Sequence, residues 1–200
     1  MSKKKLNLVI GLGIIFVILM ISVIFGWTEG FDEIAYDFII SFRCSFLDRF
    51  FRFITCFGDS FFMIGLVLAF GLIMRNSVGY LYATLAVDTT LTNFILKRLI
   101  RRDRPDVLKL IEQGGFSFPS GHSMISMSMY GMLVYICYKK IKNKYLKWIL
   151  CSVFSLIIIL VGLSRIYLGV HYVSDVIGGY LLSLMTIVLY TELIDKYLGD

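Results

Sequence analysis

Three short stretches of this 200-residue chain concentrate residues that can move protons and bind anions. They are KRLIRRDRP (97–105), PSGH (119–122) and SRIYLGVHYVSD (164–175). Both histidines and both prolines of the chain lie within them. A histidine near a carboxylate and several cations is a combination suited to acid–base or covalent chemistry on an anionic group.

The third stretch places a histidine and a carboxylate four residues apart. On a helix, His171 and Asp175 would share a face. A carboxylate that binds one imidazole nitrogen fixes the tautomer and leaves a lone pair on the other nitrogen, as in a nucleophile or a general base. A structural hydrogen bond at a membrane interface is the alternative interpretation of this pair.

The first stretch is a dense run of cations, and the third adds another. Lys97, Arg104 and Arg165 are able to neutralise phosphoryl oxygens, because charge-assisted hydrogen bonds are the strongest ones available. Anchoring of basic residues at the membrane interface is the alternative for the first stretch. Pro105 disfavours helical geometry at the residue before it, so the helix carrying Lys97 is predicted to end at Arg104.

The second stretch has the pattern of a helix start. Ser120 is a good N-cap, Gly121 allows close approach of a ligand to the backbone, and His122 would lie in the first turn. Free N–H groups at such an end favour an anion, although a simple capped helix also explains the four residues.

The elements that position these stretches are predicted to be membrane helices. The chain is 58% hydrophobic and only 17% charged, and each long apolar run is close to the ~17–25 residues that span a bilayer. The runs are 6–26, 57–74, 78–97, 121–138, 147–163 and 176–194. Because lipid offers no hydrogen-bond partners to the backbone, we predict an all-α, six-transmembrane-helix bundle forming one domain over residues 1–200.

The region after the first run mixes charges with phenylalanines at helical spacing. Residues 28–53 are therefore predicted to form an amphipathic helix at the membrane interface. The lysines of the N-terminus and of KKIKNKYLK (139–147) indicate the cytoplasmic side. This orientation predicts a multi-pass protein of the cell membrane with both termini in the cytoplasm and all three stretches on the extracytoplasmic face.

Taken together, the three stretches resemble the motifs of the type-2 phosphatidic acid phosphatase superfamily, the lipid phosphate phosphatases. Its K-x6-RP motif is matched by Lys97, Arg104 and Pro105, and its second motif by PSGH at 119–122. Its SR-x5-H-x3-D motif is matched by Ser164, Arg165, His171 and Asp175. Order and spacing agree at every motif position.

The resemblance implies a hydrolase for the phosphomonoester or diphosphate of a lipid. It implies that His171 is the nucleophile and forms a phosphohistidine, that Asp175 orients it, and that His122 protonates the leaving alcohol. Lys97, Arg104, Ser120, Gly121 and Arg165 would bind the phosphoryl group. It implies no metal and no other cofactor, and the partners are a lipid phosphate and membrane lipids, with no nucleic acid. Phosphatidylglycerol phosphate, phosphatidic acid, undecaprenyl diphosphate and diacylglycerol diphosphate are all compatible substrates.

Two other functions use the same residues. A lipid phosphotransferase would pass the phosphate or a head group to an acceptor other than water. A non-enzymatic anion transporter would use the arginines to bind the anion, but it would not require the His–Asp pair.

The cysteines and Asp88 are predicted to have structural roles. The spacing of the cysteines is typical of neither metal nor redox sites, and Cys44 and Cys56 are predicted to be unpaired unless their loop faces an oxidising compartment. Asp88, inside the third apolar run, is predicted to form an interhelical hydrogen bond.

Overall fold

The computed structural model describes residues 1–198, and every regular element within that part of the chain is helical. One 3₁₀ turn, Cys56–Gly58, joins the third and fourth helices. The α-helices are α1 (Lys3–Ile24), α2 (Glu29–Ile40), α3 (Ser45–Thr55), α4 (Ser60–Met74), α5 (Ser77–Ile100), α6 (Gly121–Lys140), α7 (Lys144–Tyr167) and α8 (Val173–Leu198). The all-α prediction is confirmed for these residues.

Fewer described helices than the six predicted spans are both long enough and apolar enough to cross a membrane. Three of the described helices meet both conditions, namely α1, α7 and α8, and a fourth span results if Ser45–Gly58 and Ser60–Met74, bent by 48°, count as one. The predicted spans at 78–97 and 121–138 fall short because they carry polar side chains. In α6 these are serines that point into the bundle, where Ser123, Ser126 and Ser128 are fully buried.

The centre of the bundle is α6, which packs against α5, α7 and α8. Its Met129 and Met132 are fully buried against Tyr82 and Leu85 of α5 and against side chains of α8. Methionine fills irregular gaps between helices because its side chain is unbranched and flexible. This core holds the N-terminal end of α6, with the PSGH stretch, beside the first turn of α8.

Close backbone packing brings α8 against the loop that precedes α6. A Cβ atom at Gly178 would lie 2.6 Å from the Phe118 ring, and one at Gly179 would lie 3.0 Å from the carbonyl oxygen of Ser120. Only a residue without a side chain fits at such separations. The glycine pair therefore sets the distance between α8 and the start of α6.

The helix that carries Lys97 ends four residues earlier than predicted. It stops at Ile100, where Arg101 takes the left-handed conformation with φ of 52° and its N–H bonds to the carbonyl of Lys97. This C-cap satisfies an end carbonyl before Pro105 is reached. Arg104 consequently lies in an irregular loop and not on the helix.

In the polar stretch of α5, the interhelical hydrogen bond is made by a residue other than Asp88. Asp88 is exposed, and its carboxylate forms no hydrogen bond or ion pair within residues 1–198. The hydrogen bond is made by Thr89, whose Oγ1 lies 2.9 Å from Ser128 Oγ of α6. The prediction for Asp88 is wrong because the rotation of α5 turns Thr89, and not Asp88, toward the core.

The region predicted as one amphipathic helix forms two helices, α2 and α3. On α3, Phe46 and Phe53 are exposed, whereas Phe51 packs against Tyr167 of α7. Cys44 and Cys56, which flank α3, are free thiols. The two short helices cover the end of the bundle at which α7 and α8 are connected.

Candidate active site

The connection between α7 and α8 places the predicted His–Asp pair in contact. His171 Nδ1 lies 3.2 Å from Asp175 Oδ2, and both side chains are buried. His171 precedes α8, which begins at Val173, so the two residues do not share one helix face as the spacing predicted. The loop instead returns His171 over the first turn of α8, where the backbone N–H of Tyr172 also donates to Asp175.

The opposite edge of the His171 ring, at Nε2, is in contact with an arginine. Arg104 Nη1 lies 3.1 Å from His171 Nε2. A guanidinium donates hydrogen bonds and cannot accept them, so Nε2 is the acceptor and the ring proton is on Nδ1, toward Asp175. The hydrogen bonds therefore assign the tautomer with a lone pair on Nε2.

Burial keeps this imidazole uncharged. The pKa of His171 is lowered to about 3, chiefly by burial and also by the nearby Arg165 and Lys97, while the hydrogen bond and charge of Asp175 act in the opposite direction. A neutral imidazole with a free lone pair is the form that attacks a phosphorus atom or accepts a proton.

The cations of the first motif converge on the loop before α6. Lys97 Nζ donates to the carbonyls of Ser117, at 2.9 Å, and Phe116. Arg104 donates to Gly115 through Nε at 2.9 Å and to Gly114 through Nη2 at 2.8 Å. With further bonds from its Nη groups to Phe116, Val170 and His171, Arg104 makes five contacts, as many as it has N–H groups. An anion that binds Arg104 must replace some of these contacts.

Arg165 is the most deeply buried of the cations, with 1% of its surface exposed. Its Nη1 donates to Thr55 Oγ1 at 2.6 Å and its Nη2 to Gln113 Oε1 at 2.8 Å. Its Nε is buried without a hydrogen-bond partner among the described residues. Since an unsatisfied buried donor is costly, this N–H is suited to an anionic ligand.

The PSGH stretch starts α6 as predicted, with Ser120 as the N-cap. Ser120 Oγ accepts from the N–H of Ser123 at 3.4 Å and from its hydroxyl at 2.9 Å, which leaves the O–H of Ser120 to donate. A Cβ on Gly121 would lie 3.0 Å from Asn93 Oδ1, so this position admits only a small residue.

His122, in the first turn of α6, belongs to the same cluster. Ser120, two residues before it, donates its backbone N–H to the Asp175 carbonyl at 3.1 Å, so His122 lies at the end of α6 that meets the first turn of α8. Its ring lies next to Gly58, where a Cβ would be 3.1 Å from His122 Cδ2. The 3₁₀ turn thus packs directly against this histidine.

An open groove of about 330 Å³ leads away from His171 along α2. It is lined by Glu29, Asp32, Glu33, Tyr36, Asp37, Pro105, Asp106, Val107, His171 and Tyr172. The groove therefore reaches the edge of the site at His171.

Comparison with known proteins identifies the family of this site. Residues 76–197 match the family model described as PAP2 superfamily. This chain belongs to the PAP2 superfamily. It is accordingly a membrane phosphatase of the PAP2 lipid phosphatase type.

Two relatives of this PAP2 phosphatase are phosphatases of membrane lipids by name. It is 35% identical over 184 residues to phosphatidylglycerophosphatase B of Bacillus subtilis (strain 168), covering 88% of this chain and 89% of that protein. It is 30% identical over 131 residues to lipid A 1-phosphatase of Helicobacter pylori (strain ATCC 700392 / 26695), covering 64% of each.

A solved structure shares the fold of this PAP2 phosphatase over nearly its whole length. The crystal structure of the first transmembrane PAP2 type phosphatidylglycerolphosphate phosphatase from Bacillus subtilis matches with a TM-score of 0.87 and 32% sequence identity. The match covers 94% of this chain and 96% of that one.

Sequence reasoning missed several residues that contact the motif side chains of this PAP2 phosphatase. Ser117 donates to Asp175 Oδ2 and lies 3.2 Å from His171 Nδ1, while Arg102 Nη1 lies 2.7 Å from Asp175 Oδ1. Thr55, Gln113 and Asp32 complete this set of supporting residues. Most come from loops and helices distant in sequence, so no local spacing could reveal them. Arg102 was visible only as one more cation beside the first motif.

Proposed function

We propose that this PAP2 phosphatase removes a phosphate from a membrane lipid through a phosphohistidine on His171. The observation that supports this most directly is the tautomer of His171. Nδ1 carries the proton toward Asp175, and Nε2 presents its lone pair among three cationic side chains.

In the first step, the Nε2 lone pair attacks phosphorus and the bond from phosphorus to the lipid oxygen breaks. His122 gives a proton to that oxygen, and the lipid alcohol departs. Lys97, Arg104 and Arg165 neutralise the phosphoryl oxygens, and the O–H of Ser120 and the N–H of Gly121 add donors at the start of α6. As the substrate binds, an N–H group of Arg104 exchanges its hydrogen bond to His171 Nε2 for one to a phosphate oxygen. The lone pair on Nε2 is then free to attack.

In the second step, water attacks the phosphohistidine. His122, now neutral, takes a proton from that water, the phosphorus–nitrogen bond breaks, and its electron pair returns to Nε2. Inorganic phosphate is released, and Asp175 holds the protonated Nδ1 throughout. The cationic side chains provide the positive charge that a metal ion provides in other phosphatases.

We infer that the substrate is a lipid phosphomonoester, with phosphatidylglycerol phosphate as the first candidate. The support is the 35% identity to phosphatidylglycerophosphatase B over most of both chains. Phosphatidic acid, undecaprenyl diphosphate and diacylglycerol diphosphate are the other members of the panel to be tested.

We also propose that the chain forms six spans, with α2 and α3 at the membrane interface, both termini in the cytoplasm and the site on the extracytoplasmic face. The ends of α5 and α7 and the starts of α6 and α8 meet at the site. At the opposite end of the bundle, Lys5 pairs with Glu192 at 3.2 Å and Lys139 with Asp195 at 3.3 Å. The two termini therefore lie on one side, together with the lysines that favour the cytoplasm.

The test is release of phosphate by the purified protein in detergent from the lipid panel, in excess chelator. We expect release from at least one lipid phosphomonoester, undiminished by the chelator and without any gradient. Alkaline quenching with labelled substrate should trap label on the wild-type chain and none on His171→Ala. Phosphate release that requires an added divalent cation, or label that persists in His171→Ala, would contradict the proposed mechanism.

A further inference from the structure

A buried charge network connects Asp175 to α2. Arg102 Nη1 lies 2.7 Å from Asp175 Oδ1, and its Nη2 lies 2.8 Å from Asp32 Oδ2. The side chains of Asp175 and Asp32 are 0% and 1% exposed, and that of Arg102 is 12% exposed. Both carboxylates therefore depend on this guanidinium for a counter-charge in a place that water hardly reaches.

The two oxygens of the Asp175 carboxylate have different hydrogen-bond partners in this network. Oδ1 binds Arg102, whereas Oδ2 faces His171 Nδ1 and accepts from Ser117 and from the N–H of Tyr172. A carboxylate held at one oxygen cannot rotate about its own axis. Arg102 at Oδ1, together with Ser117 and the Tyr172 N–H at Oδ2, thus fixes the orientation of the carboxylate that faces the imidazole.

Asp32 in turn holds both Arg102 and the start of α8. Besides Arg102, it accepts from the N–H of Ser174 at 2.8 Å and from its hydroxyl at 2.6 Å. Ser174 lies in the first turn of α8, where backbone N–H groups favour a negative charge. Asp32 therefore fixes the turn that carries Asp175 as well as the arginine that orients it.

The plane of the guanidinium is fixed from a further direction. Its carbon lies 4.0 Å from the centre of the Tyr172 ring, and Nη2 is 3.3 Å from Thr28 Oγ1. Burial alone would lower the pKa of Arg102, but the two carboxylates raise it above its ordinary value, so the side chain is charged. The guanidinium is therefore a charged group held between two carboxylates and the Tyr172 ring.

We propose that Asp32 and Arg102 are positioning residues, with Asp32 holding Arg102 so that Arg102 directs the Asp175 carboxylate onto His171. The proposal rests on the proposed function of His171. Asp32 lies on α2, outside residues 76–197 that match the family. A helix outside the matched region thus supplies a carboxylate on which the geometry of the site depends.

The test compares kcat and KM for phosphate release by Asp32→Asn, Arg102→Gln, Arg102→Lys and the double variant Asp32→Asn/Arg102→Gln. Asp88→Asn and Arg101→Gln are matched controls, because these exposed side chains undergo the same charge changes outside the groove and outside the network. All rates are expressed per folded protein, measured by gel filtration and thermal unfolding in detergent.

We expect Asp32→Asn to lower kcat by about tenfold or more, by analogy with the hydrogen-bond partners of metal-bound histidines. KM should change less than twofold, because neither residue is among those proposed to bind the phosphate. Arg102→Lys should retain more kcat than Arg102→Gln. The loss in the double variant should be smaller than the product of the two single losses, since Asp32 acts in part through Arg102.

A kcat of Asp32→Asn equal to that of Asp88→Asn would overturn the proposal, and so would a loss confined to KM. If Asp32→Asn does not fold, Ser174→Ala removes the hydroxyl that donates to Asp32 Oδ2 and accepts from Arg102 Nη1 at 2.7 Å. This variant should lower kcat by a smaller factor, and unchanged kcat would overturn the proposal. Failure of the wild-type protein to release phosphate would instead reject the proposed function.

Discussion

Arg104 Nη1 lies 3.1 Å from His171 Nε2, the nitrogen that presents its lone pair to the site. The same guanidinium also donates to carbonyl groups of Gly114, Gly115 and Val170. In the proposed mechanism, binding of the phosphate and release of the Nε2 lone pair are therefore linked, because both draw on the N–H groups of one arginine. The proposed reactive arrangement forms when an anion takes over the contact with Arg104.

Replacement of either histidine should abolish most phosphate release while the protein still folds. We expect His122→Ala to lose about 10²-fold or more of kcat, the contribution of a well-placed general acid. His171→Ala, without a nucleophile, should lose more. The measurement is phosphate release by purified variants that elute from gel filtration as the wild type does. Ordinary turnover by either folded variant would contradict the assigned roles.

Thr55→Val should weaken substrate binding through Arg165. The Thr55 hydroxyl accepts a 2.6 Å hydrogen bond from Arg165 Nη1, and its loss leaves a second unsatisfied N–H group on a buried cation. Because a hydrogen bond to a charged group contributes about 1.5–3 kcal/mol, we expect KM to rise by about tenfold or more. Thr84→Val is the matched control, since Thr84 is exposed and bonds only within α5. Equal KM values in the two variants would show that Thr55 does not support Arg165.

Gly178→Ala should destabilise the protein. The added methyl group would lie 2.6 Å from Phe118, which is fully buried, so the loop before α6 or α8 itself has to move. Overpacking of this kind costs about 1–3 kcal/mol. The control is Gly65→Ala on α4, where a Cβ meets nothing within 4 Å. The thermal unfolding midpoint in detergent should fall for Gly178→Ala only, and an equal midpoint in both variants would contradict this packing.

Stability should depend on pH through His171. Its pKa in the folded protein is lowered to about 3 from the usual 6.5, chiefly by burial. Between these values the unfolded chain binds more protons, so the stabilisation is complete above about pH 6.5 and declines as the pH falls toward about 3. We expect the unfolding midpoint of the wild type to fall more steeply than that of His171→Asn between about pH 7 and about pH 4. Parallel curves for the two proteins would show that His171 is not buried as a neutral imidazole.

The local motifs of this site could be predicted because each depends on a few neighbouring residues. Ser120 caps α6 since its side chain and the helix N–H groups are only three residues apart, a relationship that spacing alone specifies. The membrane character of the chain likewise follows from the length of its apolar runs. The end of α5 was predicted less well, because the left-handed turn at Arg101 has no strong signal before Pro105.

The sequence by itself determined the residue types of the site, their order, and the helical apolar elements that carry them. Only the tertiary structure decided that Thr89 and not Asp88 faces the core, that Arg104 contacts His171 Nε2, and that Asp32 reaches Asp175 through Arg102. The physical reason is that these contacts join residues from separate helices and loops. Their distances depend on how the helices rotate and pack, which the spacing of residues along one segment does not specify.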